Sequence, residues 1–517
     1  MRHISSGHVA DSSVIADDAT ITNVNDQKID SSNSNIEKLE KESANKIESE
    51  ETQYGSQSVS TTPVELEPHE DPKNMSPFRK WVAVVVISSA SLCATCASSM
   101  AASAETGESR DFHVSKIVTI LGISLYVEGL GCGPLLLGPL SEFFGRTPIY
   151  LTSYLFFFAF SFPVAFAPNI AVFLVFRFLT GFSSAAFLSV AGGSVSDLFT
   201  NDKVANPMAF YTISPFAGPV IGPLISGFIN QNVSWRWTYY VLIIWIFVEL
   251  VALYLFVPET YAPVLLKKKS RRLRRLNGLP EPEEVGKKAI LHAIALSCYK
   301  PFELLLFDRM ALLLDLWSAL ILGILYLAFQ AFPIIFGEHH GFSSGLQGCS
   351  FLGIGIGLVL GTATQPFWNR LYKEYTIEHD GHPPPEMRLL MGMPGGILVS
   401  LGLFIIAFTT FPGVHWIGPI IGSIPFGTGI ILVYTAVFTY LVTAYRPIAA
   451  SAMAANSALR SAFAAAFPLF APAMYHRLGT VGATALLGGL TTIMAPLPFI
   501  FYKYGPRIRQ KSKYAMS

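Results

Sequence analysis

From Phe78 onward the chain alternates long apolar stretches with short polar ones. Twelve stretches, near 81–103, 117–138, 149–167, 170–195, 206–229, 238–257, 310–335, 346–368, 389–411, 416–441, 447–471 and 480–502, are long enough to cross a bilayer. About 20 apolar residues rising 1.5 Å each match a hydrocarbon core of roughly 30 Å. Buried in lipid, such segments must satisfy their own backbone groups, so the pattern predicts an all-α membrane protein of twelve transmembrane helices. A polar stretch, 258–309, divides the spans six and six. This gives an N-terminal half, 79–257, a C-terminal half, 310–503, and a cytosolic tail, 504–517. Residues 1–78 lack the pattern. They are rich in Ser, Asn and acids and nearly free of aromatic residues, which predicts a disordered cytosolic tail. No basic segment followed by an apolar one opens the chain, so no cleaved signal peptide is expected.

Composition agrees. Only 14% of the 517 residues are charged and 51% are hydrophobic, against about 25% charged in soluble proteins. The net charge of +1 hides a division: residues 1–78 carry 15 acids and 6 bases, the remainder 20 and 30. With the N-terminus inside, the inner segments after the tail hold 22 Lys and Arg and the outer loops 4. The basic excess therefore sets membrane orientation and is not a nucleic-acid footprint. Both termini are expected in the cytosol. Asn232, in the sequon Asn232-Val233-Ser234, is an external glycosylation candidate. Seven of the nine residues Lys267 to Arg275 are basic, a cluster suited to anionic headgroups. The five cysteines include Cys93 and Cys96 inside an apolar helix; neither a disulfide framework nor a metal site is expected.

Charged residues inside spans are costly and mark function or pairing. Glu128 in span 2 and Arg177 in span 4 lie at depths about 6 Å apart on helix-rise arithmetic, which predicts an ion pair usable for proton coupling. Glu249 and Asp315 lie near inner ends and read as gate-related. Asn456 and Arg460, four apart in the Ala-rich span 11, share a face and are cavity candidates.

Two motifs carry a family resemblance. Gly138 to Pro148, GPLSEFFGRTP, sits between spans 2 and 3, with Glu142 and Arg146 four apart and Gly138 and Gly145 allowing tight turns and close approach. It resembles the loop 2–3 signature of the major facilitator superfamily, with Phe143 and Thr147 replacing frequent basic residues. GPVIGPLISGF, Gly218 to Phe228, places Gly218, Gly222 and Ser226 on one face of span 5 and adds Pro219, Pro223 and Gly227. It resembles the antiporter signature of the drug:proton branch, with Ser226 in place of a glycine. RFLTG from Arg177 resembles the family's span 4 signature, and PETYAPVLL, PPPEMRL and the span 11 segment resemble fungal members of the branch. The resemblance implies a cytoplasmic latch in which Arg146 joins Glu142 and Asp197, and a role for Arg177 in proton coupling. It also implies a non-enzymatic, proton-driven antiporter that exports drugs or other small amphiphilic or toxic compounds by alternating access. Such a protein needs no cofactor beyond the proton gradient, and its partners are the substrate, protons and lipid. It would be a monomer, in the plasma membrane or else a vacuolar or other internal one. The rival readings are a symporter importing a vitamin, polyamine or similar nutrient, and a non-transporting sensor. Substrate identity is not legible.

Overall fold

The computed structural model describes residues 66–200, 203–277, 287–379, 383–510 and 512. The tail expected at 1–78 falls mostly outside them, as do residues 513–517. Every described element is a helix or a turn; there is no strand among the described residues.

Eleven apolar helical stretches are long enough to span a membrane: Pro77–Ser99, Lys116–Phe144, Arg146–Ala165, Ile170–Leu198, Asn206–Asn232, Arg236–Phe256, Arg309–Glu338, Ser344–Glu378, Pro385–Thr409, Ile417–Ala444 and Ala449–Arg509. The last is 61 residues long and turns back at Gly479, whose φ of 71° is not helical. It supplies spans 11 and 12, completing the twelve. Span 1 continues directly as the helix Ala101–Phe112, which ends at His113 in the left-handed region (φ 52°). Asn169 accepts a hydrogen bond from the Val172 N–H and so caps span 4. Asp308 does the same for span 7 through the N–H groups of Met310 and Ala311.

One apolar core lies wholly in the N-terminal half; the other fills the C-terminal half and extends across the seam to Ala101, Ile123, Val127, Phe216 and Val220. Span 7 is 89% buried and span 6 only 28%. Span 7 therefore runs through the protein interior while span 6 meets lipid. The outer ends of the halves are pressed together. Ser124 donates to the Ala465 carbonyl (2.6 Å), Gly345 N–H to Gln231 Oε1 (3.0 Å), and Ser98 and Tyr326 share a hydrogen bond of 2.9 Å. Span 5 meets span 8 backbone to backbone: an added methyl at Gly227 would overlap the Ser344 carbonyl, and one at Gly348 the Pro223 carbonyl.

On the inner side, the stretch expected as a basic loop holds two helices, Ala262–Leu276 and Lys287–Phe307. Residues just before span 1 dock on the first of these. Glu70 and Glu67 lie 2.6 and 3.5 Å from Lys269 Nζ. The hydrogen bond from Lys269 holds the Glu70 carboxyl below the usual carboxylate range.

Candidate functional site: two buried charge networks

Arg177 is 2% exposed. Its Nε donates to the Gly122 carbonyl and its Nη1 to the Ala97 carbonyl, both at 3.0 Å. The guanidinium stacks 4.5 Å from the Tyr126 ring and 5.8 Å from the Tyr239 ring. Nη2 has no hydrogen-bond partner among the described residues. Arg177, Tyr126 and Tyr239 line a small cavity within the N-terminal half.

The expected Glu128–Arg177 pair does not form. Helix rise fixes depth, but azimuth decides contact. On span 2 it is Gly122, Tyr126, Gly129 and Gly133 that meet spans 1 and 4. Glu128 is two positions from Tyr126, roughly 200° around the helix. It sits between Ser124 and Gly131, which both touch span 11, and is half-buried toward the seam between the halves.

The acid linked to Arg177 is Glu108, which shares the helix that continues span 1 with a second acid, Glu105. Both are buried, at 1% and 3% exposure. Tyr239 donates to Glu108 Oε1 at 2.7 Å while its ring faces Arg177, so one tyrosine bridges acid and base. Glu105 Oε1 accepts from Gln330 Nε2 at 2.6 Å. Gln330 lies in span 7, about two turns before its end at Glu338, so that bond crosses between the halves. The apolar run of span 1 ends near 103, which leaves these acids outside the expected span. A usable signal was the spacing of Ser98, Glu105 and Glu108, seven and three apart, which keeps them on one helix face.

At the inner end of the N-terminal half, Arg146 Nε lies 3.3 Å from Asp197 Oδ2, and Nη1 donates to Ser141 Oγ at 2.7 Å. Its guanidinium stacks 4.6 Å from the Tyr261 ring. Arg146 and Asp197 are thus brought together, but Glu142 is exposed and is not part of the cluster. Helix Lys116–Phe144 runs through Glu142, turning it outward. The acid that does join is Glu259, of the PETY stretch after span 6. Its carboxylate accepts the N–H groups of Arg146 (2.9 Å) and Thr147 (3.3 Å), capping span 3. Gly145 alone makes the turn, at φ 100°, and an added methyl there would overlap Glu259. Gly138 is an ordinary helical residue with nothing within 4 Å of an added methyl, so no close approach depends on it.

The span 5 motif packs as a face. Gly218 and Gly222 lie on Thr95 and Ser99 of span 1. Ser226 donates to Ser103 (3.0 Å), and Ser99 to the Gly218 carbonyl (2.9 Å). Gly227 belongs to the opposite contact with span 8. The helix is continuous through Pro219 and Pro223. A methyl at Gly222 would overlap the Ser99 hydroxyl and lie 3.2 Å from the Cys96 carbonyl. Gly222→Ala is therefore expected to slow transport about tenfold, and Gly222→Leu to abolish it, with cell-surface amount unchanged. Normal efflux by the Leu variant, per molecule at the surface, contradicts this.

In the C-terminal half, Asn456 is fully buried. It donates to Asp315 Oδ1 and Ser318 Oγ, both at 2.8 Å. Arg460 stacks 4.8 Å from the Phe438 ring and 5.4 Å from the Tyr434 ring. Asp315 Oδ2 and Arg460 Nε lack hydrogen-bond partners among the described residues. Glu249 accepts from Ser89 and from Trp245 Nε1. Asn232 is exposed at the outer end of span 5, where its amide donates to the Phe228 carbonyl (2.8 Å). Among the described residues, no group of three His, Cys, Asp or Glu could hold a metal ion.

Comparisons with known proteins agree with this architecture. The chain is 45% identical over 453 residues to the efflux pump atB of Aspergillus terreus, covering 86% of this chain and 87% of that one. It is 40% identical over 454 residues to the probable drug/proton antiporter YHK8 of Saccharomyces cerevisiae, covering 87% and 88%. Among solved structures, the proton:xylose symporter XylE aligns with a TM-score of 0.59 at 13% identity, covering 83% of this chain and 96% of that one. A peptide transporter, POT, aligns at 0.60 and 14%, covering 87% and 100%; both likenesses concern the fold alone. The profile of the Major Facilitator Superfamily matches residues 87–468, and the chain belongs to that superfamily.

Proposed function

We propose that this protein is a proton-coupled antiporter that exports small amphiphilic or toxic compounds across the plasma membrane by alternating access. The names of the similar fungal proteins, efflux pump and drug/proton antiporter, support the direction and substrate class. The observation that carries the proton coupling is the placement of Glu105 and Glu108. Glu105 takes a hydrogen bond from the opposite half, and Glu108 is joined through Tyr239 to Arg177. When the outer ends part, Gln330 leaves Glu105 and water reaches it. A carboxyl whose surroundings differ between two states has a different proton affinity in each. That difference is what a driving ion acts on. Arg177, fixed by two carbonyls and two rings, holds the positive charge in place while the acids exchange protons. The inner cluster of Arg146, Asp197 and Glu259 ties the cytosolic ends of spans 2, 3, 4 and 6 into one body that moves as a unit.

Cells overproducing the protein and loaded with a fluorescent amphiphilic cation are expected to lose it faster than cells lacking it. A protonophore should remove the difference. Greater accumulation on overproduction, or efflux indifferent to the protonophore, would overturn the proposal, the first outcome pointing to import.

A further inference from the structure

Span 11 carries a positive charge near the middle of the membrane that no acid neutralises by contact. Arg460 follows the start of the span at Ala449 by roughly 16 Å of helix rise, about half the hydrocarbon thickness. It makes no ion pair among the described residues, and its Nε is buried without a hydrogen-bond partner there. The side chain as a whole is half-buried. The Phe438 and Tyr434 rings of span 10 lie beside the guanidinium. The Tyr434 hydroxyl is close to it but gives its own proton to the Ser318 carbonyl, at 2.6 Å.

Arg460 also stands at the seam between the halves. The next residue, Ser461, fills the space beside Gly131 of span 2, and the Tyr434 ring lies 4.8 Å from that of Phe216 in span 5. The acid whose field reaches Arg460 is Asp315 of span 7. Asp315 is not bonded to it: Oδ1 accepts from Asn456, and Oδ2 has no partner among the described residues. An arginine inside a membrane is costly unless something compensates it. Arg177 in the other half has two carbonyls, two rings and the Glu108–Tyr239 pair around it. Arg460 has the rings and a distant acid, and its donors face the seam unused.

We propose that Arg460 is the recognition point for organic acids with a flat apolar body, bound as carboxylates. The inference rests on the export reading and specifies one class among the exported compounds. A guanidinium offers parallel N–H donors that match the two oxygens of a carboxylate. Phe438, Tyr434 and Phe216 place apolar surface next to the charge, which favours an organic anion over an inorganic one. Binding supplies the negative charge that the protein itself does not bring into contact with Arg460. Phe216 belongs to the N-terminal half, whereas Arg460, Tyr434 and Phe438 belong to the C-terminal half. The site is therefore rearranged when the halves move apart, which is what release of a bound compound requires.

The test uses purified full-length protein in lipid nanodiscs and equilibrium dialysis of two radiolabelled probes at neutral pH, with empty nanodiscs subtracted. 1-Naphthoate is a carboxylate; 1-naphthamide has the same shape and no charge. The wild type is expected to bind naphthoate about tenfold more tightly than naphthamide, the margin of a charge-assisted bidentate contact. Arg460→Gln should remove that preference by weakening naphthoate alone, and Arg460→Lys should keep part of it. Asp315→Asn keeps the hydrogen bond from Asn456 and removes the acid behind the cation, so it should tighten naphthoate and not naphthamide. Equal binding of the two probes by the wild type overturns the proposal without recourse to any variant. A preference that survives Arg460→Gln places the anion elsewhere and overturns it too. Binding to purified protein reads neither direction nor proton coupling, so this test and the cell assay for export fail separately.

Discussion

Glu105→Gln is expected to uncouple transport from the proton gradient while the protein still folds and exchanges substrate. The amide keeps the size of the carboxyl and can still accept from Gln330, so the outer seam closes as before. What is lost is the ability to take up and release a proton. In proteoliposomes with an imposed pH gradient, the wild type should move substrate uphill. The variant should only equilibrate it, with a rate independent of the gradient. Glu108→Gln should behave the same way, since the Tyr239 hydroxyl can donate to an amide oxygen. Arg177→Lys should retain part of the activity, because an ammonium cannot reach the Ala97 and Gly122 carbonyls with two separate nitrogens at once. Arg177→Ala should retain none. Uphill transport by both Gln variants, with the wild-type pH response, would make these acids structural. The search would then pass to Glu128 at the seam or Asp315 in the C-terminal half.

The second large effect is expected at the cytosolic latch. Arg146→Ala should reduce transport to near background with surface amount largely intact, and Arg146→Lys should recover part of it. The arginine uses three directions at once: a carboxylate, a hydroxyl and an aromatic face. Glu259→Ala removes the acceptor for the first N–H groups of span 3, a cap worth about 0.5–2 kcal/mol, and should slow transport severalfold. Gly145→Ala meets both a left-handed backbone, costing about 1–3 kcal/mol, and the Glu259 carboxylate. It should be more damaging than Glu259→Ala. Transport per surface molecule ranks the four. Full activity in Arg146→Ala would remove any role for the cluster, and a harmless Gly145→Ala would refute the turn.

The spans and their all-helical packing were legible because apolar length acts locally and strongly. Pairings between spans were legible only in part. Small residues spaced four apart announced that span 5 had a close-packed face, and Thr95, Ser99 and Ser103 of span 1 are what it meets. Arg146 and Asp197 met as the motif implied. Glu128 failed because rise along a helix says nothing about rotation about it. Glu105 and Glu108 were missed because a helix can continue past its apolar run when its polar face is covered by neighbours. Glu259 was hidden for another reason. A cap supplied from more than 100 residues away leaves no trace at the helix it caps.

The contact between spans 5 and 8 bears on how the protein moves in time. Where Gly227 meets the Ser344 backbone and Gly348 meets that of Pro223, the contact is made by backbone atoms, which cannot swing aside or repack partway; the Gln231 and Phe228 side chains flank it at Gly345. Atoms on each side lose their dispersion contacts within the first ångström or so of separation. Such a joint resists small displacements and then gives way at once. Opening of the outer side should therefore be a rare, abrupt event separating two long-lived states, with little population between them. Single-molecule distance records across this joint would show steps instead of drift.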